Sequence, residues 1–163
     1  MQKKNLKRGI LLVEVIISVF IISVVVSVLI TASNLYLTAS SSGLKSTKAM
    51  YFAQEGMEAV RIIRDKSWQD FQSLNEGEDY YLYFSISASS TWNATTSVFY
   101  KTTGGIDRWF VISPVRRAYT RITEGEGEVD LYTKKVDVFV SWQDRERVIT
   151  KTLSTYLTKI IPD

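Results

Sequence analysis

Glu14 is the one carboxylate in an apolar run over residues 10–30, which is otherwise broken only by Ser18, Ser23 and Ser27. An ionised carboxylate deep in lipid costs about 2.5–3.5 kcal/mol on insertion scales, and less near a helix end from which it reaches the interface. Something must therefore compensate it. Lys7, Arg8 and Gly9 stand just before the run. If the chain were cut after Gly9, Ile10 would carry a new ammonium group about one helical turn from Glu14. The same amine on a neighbouring subunit could then pair with that carboxylate in a shared apolar setting, where opposite charges attract far more strongly than in water.

Other chemistry is sparse. The chain has no Cys and no His, so disulfides, thiolate metal sites, Ser/His and Cys/His catalysis and imidazole zinc ligation are excluded. Paired carboxylates cannot be assigned to a common cleft, and the expectation is no enzyme and no cofactor. Glu124, Gly125, Glu126, Gly127 and Glu128 form an acidic stretch with carboxylates for a hard cation, but it lacks the Asp/Asn spacing of a calcium loop. A solvated turn is expected there, without metal. Arg116, Arg117 and Arg121 around Tyr119 make a cationic patch that could meet nucleic acid, yet so few basic residues on one strand are commonplace, and DNA is not expected as a partner. Trp68, Trp92, Trp109 and Trp142, with nine Tyr, would suit a carbohydrate platform, but a small domain uses such rings for its core first. Asn93, Ala94 and Thr95 match a glycosylation sequon, a weak signal.

Lys7, Arg8 and Gly9 followed by Ile10, Leu11, Leu12, Val13 and Glu14 and a long Val/Ile run resemble the class III leader of type IV pilins and type II secretion pseudopilins. The resemblance implies cleavage between Gly9 and Ile10 by a membrane prepilin peptidase and N-methylation of Ile10. It also implies a role for Glu14 in docking subunits during filament assembly. Ala53, Gln54, Glu55, Gly56, Met57, Glu58, Ala59, Val60 and Arg61 are similar to the later half of the long helix in minor pilins. The implied partners are the peptidase, other pilin or pseudopilin subunits, an inner-membrane assembly platform and, before assembly, inner-membrane lipid. The implied location is a single-pass bacterial inner-membrane protein that later enters a cell-surface or periplasm-spanning filament. Many major pilins carry a helix-bending proline early in the mature chain, whereas the first proline here is Pro114.

The elements that must position these residues are legible in the pattern. About 21 apolar residues at 1.5 Å each match the roughly 30 Å of a bilayer core. Four of the 20 basic residues, Lys3, Lys4, Lys7 and Arg8, precede the span with no acid among them, so the N-terminus is expected inside and the C-terminus outside. The rest of the chain then holds 20 − 4 = 16 basic and 17 acidic residues, so the basicity belongs to the tip. No A-x-A-type cleavage site follows the span.

Beyond residue 30 no turn signal ends the helix, and Ala49, Phe52, Ala53, Gly56, Met57, Val60 and Ile63 line one face at helical spacing. Gln54, Glu55, Glu58, Arg61 and Asp65 are expected on solvated faces, with Glu58–Arg61 and Arg61–Asp65 pairs. Helix from Ile10 to Lys66 would measure about 85 Å. Ser40, Ser41, Ser42 and Gly43 are its weakest point, where a kink or local melting is expected.

From Tyr80 the pattern turns to short β-rich runs: YYLYFSIS, SVFYKTT, RWFVIS, KKVDVFVSW and VITKTLSTYL. Val136, Val138, Val140 and Trp142 alternate, as do Ile149, Leu153 and Leu157, with Gln143, Asp144, Arg145 and Glu146 as a four-residue hairpin loop. The expected fold is α+β, a long N-terminal helix packed on a C-terminal antiparallel sheet. Its parts are a leader over 1–9, a membrane-spanning half over 10–30, an amphipathic half over 31–67 and a β domain over 68–163. A subunit of a pilus-like filament, either a minor pilin or a pseudopilin, is the expected function. The alternative is a signal-anchored extracytoplasmic binding module that does not polymerise.

Overall fold

In a computed structural model, residues 3–86, 90–100, 102–123 and 127–160 are described, with side chains from Leu12 onward except those of Thr102 and Thr103. Helix α1 runs over Lys3–Lys66 without interruption at residues 40–43, where a kink or melting was expected. A short helix α2, Trp68–Gln72, follows; the Ser67 hydroxyl caps it by accepting the Asp70 N–H. The strands are β1 (Tyr81–Ser85), β2 (Thr91–Thr95), β3 (Thr102–Thr103), β4 (Ile106–Ala118), β5 (Arg121–Thr123), β6 (Glu128–Asp144) and β7 (Arg147–Thr158). All pairings are antiparallel: β1 with β2 as a small sheet, and β3-β4-β6-β7 as the larger one with β5 beside the far end of β4. The architecture is α+β, with the long N-terminal helix packed through its later part on antiparallel sheet.

By its contacts the chain divides into two units, Met1–Leu44 and Lys45–Asp163. In the first, every side chain described from Leu12 to Tyr36 is exposed. Helix α1 is long and apolar enough there to cross a membrane. The hydroxyls of Ser18, Ser23, Ser27 and Thr31 each donate to the carbonyl four residues earlier, at Glu14, Val19, Ser23 and Ser27. The serines that interrupt the apolar run therefore satisfy their own donors within the helix, as an apolar solvent requires.

The second unit has an ordinary core. Ala49, Ala53, Gly56, Met57 and Val60 are buried, with Phe52 and Ile63 half-buried, on the face expected from the spacing, and Ala59 is buried beside them. Val136, Val138 and Val140 of β6 are fully buried opposite them, and Ile149, Leu153 and Leu157 of β7 complete the layer. Gly56 marks the close approach of helix and sheet: a Cβ there would lie 3.0 Å from both Val138 Cγ1 and Arg108 Cδ. The price of glycine inside a helix is about 1 kcal/mol relative to Ala, offset here by that proximity.

Several expectations change. SVFYKTT is not one strand: Val98–Tyr100 is a 3-10 turn and only Thr102–Thr103 pairs with β4, while Lys101 lies outside the described residues. Strand β2, TWNAT, was not foreseen, because an alternation of five residues with only Trp92 and Ala94 apolar is too short to decide, and pairing with β1 decides instead. The last hairpin is tighter than four residues. Strand β6 ends at Asp144 and β7 begins at Arg147, with Arg145 in the left-handed region at φ 58°; a two-residue turn of this hand matches strand twist. Asp65 pairs with Arg64 rather than Arg61, whereas Arg61 does pair with Glu58. Of the acidic stretch, Glu124, Gly125 and Glu126 lie outside the described residues.

Candidate functional site

Gly9 and Ile10 fall within α1, with their side chains outside the described set. Glu14 lies one turn further along the same helix with its side chain exposed, at the leading end of the apolar stretch. Helix geometry fixes the spacing: four residues at 1.5 Å put the Ile10 and Glu14 backbones about 6 Å apart along the axis, on neighbouring positions of one face. An exposed carboxylate there can meet an ammonium supplied from outside its own helix. Around it Leu12, Val13, Val15, Ile16 and Ile17 are all more than half exposed, so none of the described side chains covers the apolar surface that flanks it.

The cationic patch is placed differently from a nucleic-acid groove. Arg116 and Arg117 lie near the end of β4 and Arg121 on β5, joined by the turn at Tyr119. Arg117 is engaged by Asp130 across the β4–β6 ladder and also donates to the Thr133 hydroxyl at 3.4 Å, while Arg116 donates to the Gly127 carbonyl at 3.1 Å. Burial pushes the Asp130 carboxyl up, but hydrogen bonds from Arg117, Thr133 and the Tyr132 N–H outweigh it and hold its pKa below the usual carboxylate range. Two of the three arginines thus already serve the fold. Tyr119 sits at φ 57° with its ring wholly in solvent.

A second concave site was not visible in the sequence. Arg108, on β4, shares the inward parity of Ile106, Phe110 and Ile112, and its side chain is only 5% exposed. Its guanidinium donates to the Glu55 carboxylate at 3.0 Å and to the Phe52 carbonyl at 3.3 Å, and lies 5.6 and 5.4 Å from the ring centres of Phe52 and Trp92. Burial lowers the Arg108 pKa and the charge of Glu55 opposes the fall; guanidinium stays charged all the same. Glu55, expected on a solvated face, is thus the counter-ion of a buried cation. Lys134 repeats the pattern on β6, buried in the same parity as Val136 and paired with Glu76. The signal that could have found Arg108 is the alternation itself, since a period of two from Phe110 and Ile112 points Arg108 inward.

Beside this pair is a cavity of about 460 Å³ walled by Tyr83, Phe84, Trp92, Phe99 and Tyr100. Among the other tryptophans, Trp142 is buried in the core, Trp68 packs against it beside Phe71, and Trp109 stacks on Phe139. Among the described residues no group of three or more acidic side chains could hold a metal ion. No protein-family model, curated protein or solved structure matches this chain.

Proposed function

We propose that this chain is a type IV pilus-like filament subunit, a minor pilin or pseudopilin, cleaved after Gly9 and assembled by packing of its apolar helices with Glu14 paired to a neighbour's Ile10 ammonium. The observation that carries this reading is the conjunction of Lys7, Arg8, Gly9 and Glu14 with a helix whose apolar side chains from Leu12 to Ile30 are exposed while its later face is buried on sheet. A monomer in water would not keep so much apolar surface wet. Lipid covers it before assembly and the helices of other subunits cover it afterwards.

Removal of the leader deletes four cationic side chains that hold the tip on the cytoplasmic side and creates the amine that Glu14 meets. Processing is then the licence for assembly. In the low-dielectric core of a filament, the pair is stabilised by mutual attraction and by exclusion of water, and an unpaired Glu14 would oppose entry. The membrane peptidase and an inner-membrane platform are the partners this reading requires.

Mass spectrometry of the N-terminus of protein made in its own host tests the processing step. The expected chain begins at Ile10 and carries one added methyl group; recovery of residues 1–9 on the native protein overturns the reading. Glu14→Ala is expected to insert in the membrane at the normal level and to enter filaments at least about tenfold less well, as loss of one desolvated pairing implies. The alternative, a signal-anchored binding module that does not polymerise, is favoured by the aromatic cavity beside Arg108. It predicts an intact leader and no dependence on Glu14.

A further inference from the structure

The second unit leaves an unusual amount of aromatic surface in water for a domain that buries Phe71 and Phe110 completely. Phe99 is 83% exposed, Phe84 50% and Tyr100 39%, and these rings gather at one cavity instead of being scattered. With Tyr83 and Trp92 they come from three segments, β1, β2 and the turn Val98–Tyr100, and pack on one another in two groups. Tyr83 stacks on Tyr100 at 4.6 Å, Phe99 meets Tyr100 edge-on at 5.2 Å, and Phe84 meets Trp92 edge-on at 5.5 Å. Rings fixed in advance lose little freedom when a ligand arrives.

We infer that this cavity binds a pyranose unit of a neutral polysaccharide. Its volume falls within the range of small-molecule sites, and it has the composition of one, mostly aromatic wall with a few convergent polar groups. The polar groups select the ligand. Among the described residues that line it, Arg108 and Glu55 are the charged ones and oppose each other, so this wall offers neither an anion nor a cation an unopposed counter-charge. The Glu55 side chain is about half exposed, which leaves its carboxylate open to donors from outside the pair, while the Arg108 guanidinium, 5% exposed, donates to Glu55 and to the Phe52 carbonyl and holds that carboxylate in place. The matching ligand is neutral and carries donors.

The walls add a second requirement. Aromatic faces are electron-rich and attract the weakly positive C–H edges of a partner. A sugar ring in chair form answers both, with an apolar C–H face for Phe99, Phe84 or Tyr100 and hydroxyls that donate to the half-exposed Glu55 carboxylate. A quaternary ammonium would meet the Arg108 charge already over Trp92, and an anionic strand would meet Glu55. All these residues lie in the Lys45–Asp163 unit, so the inference holds whether or not the chain enters filaments.

The test uses the full-length chain in polyoxyethylene-ether micelles, since glycoside detergents would compete. Cellotetraose, chitotetraose and maltotetraose are titrated separately, with sorbitol as an open-chain polyol and a proline-rich peptide as the protein-ligand arm. Binding is read by tryptophan fluorescence and by saturation transfer to the ligand protons. At least one tetrasaccharide is expected to bind with a Kd on the order of 1 mM or tighter, and sorbitol and the peptide are expected not to bind. Phe99→Ala and Phe84→Ala remove exposed side chains, so the fold persists, and each is expected to weaken binding at least about tenfold. The inference is overturned if no tetrasaccharide binds by about 10 mM, if sorbitol binds as well as the sugars, if only the peptide binds, or if both variants bind like the unsubstituted chain.

Discussion

Helix α1 is one element in two settings. Between Leu12 and Ile30 its apolar side chains are exposed and its serines close their hydrogen bonds internally, whereas between Ala49 and Val60 a narrow face is fully buried against β4 and β6. Hydrogen bonding in the backbone is the same in both. What differs is the partner: the later stretch alternates small and large residues to fit a sheet, and the earlier stretch is apolar on every side, as a helix must be when its surroundings are apolar too. Helicity thus says nothing about burial; the azimuthal pattern of side chains does.

Truncation at matched positions gives the largest contrast. Met57→Ala, at a side chain 3% exposed, is expected to cost about 2–5 kcal/mol in urea unfolding of the second unit, whereas Ile22→Ala, 61% exposed, is expected to change it by less than about 0.5 kcal/mol. Equal costs would break the comparison.

The two helical glycines sharpen it further. Gly56→Val pushes a branched side chain into Val138 and Arg108 and is expected to destabilise by about 1–3 kcal/mol. A Cβ at Gly43 meets nothing within 4 Å, so Gly43→Ala is expected to stabilise the helix by up to about 1 kcal/mol, read as a rise in the Tm of its far-UV signal. A loss at Gly43 would mean that the earlier stretch has a packing partner in this chain.

The smallest effect is pH-dependent and belongs to the sheet alone. Asp130 has a folded pKa held below its unfolded value of about 3.9, so its contribution is fully present above that value and is lost as pH falls through the folded one. Near-UV dichroism of the second unit is expected to lose thermal stability below about pH 4, and Asp130→Asn is expected to flatten that dependence while lowering stability at pH 7. An unchanged acid limb in the variant would remove Asp130 as its source.

Much of the molecule was legible before any coordinates. The buried face of α1, the alternation of Val136, Val138 and Val140, and the return through Ile149, Leu153 and Leu157 all follow from periods of 3.6 and 2, because a residue repeated at the period of its element must share a face. The Gly9, Ile10 and Glu14 spacing is local in sequence, and the structure adds that all three positions lie in α1. Strand β2 and the turn Val98–Tyr100 were not legible, because short mixed runs such as TWNAT and SVFYKTT have no period long enough to decide between states, and cross-strand partners decide instead.

The second site shows the boundary most plainly. Glu55 and Arg108 are 53 residues apart; Glu55 reads as a surface charge, and the alternation that turns Arg108 inward does not say which residue meets it. Only the packing of α1 on β4 at Gly56 brings them together, and only the small sheet and the turn Val98–Tyr100 set aromatic walls beside them. The sequence by itself determined which faces are apolar and where a carboxylate stands in a greasy helix, because side-chain periodicity is a one-dimensional property. Tertiary structure decided which charges are desolvated and which rings converge, because desolvation depends on what arrives from elsewhere in the chain.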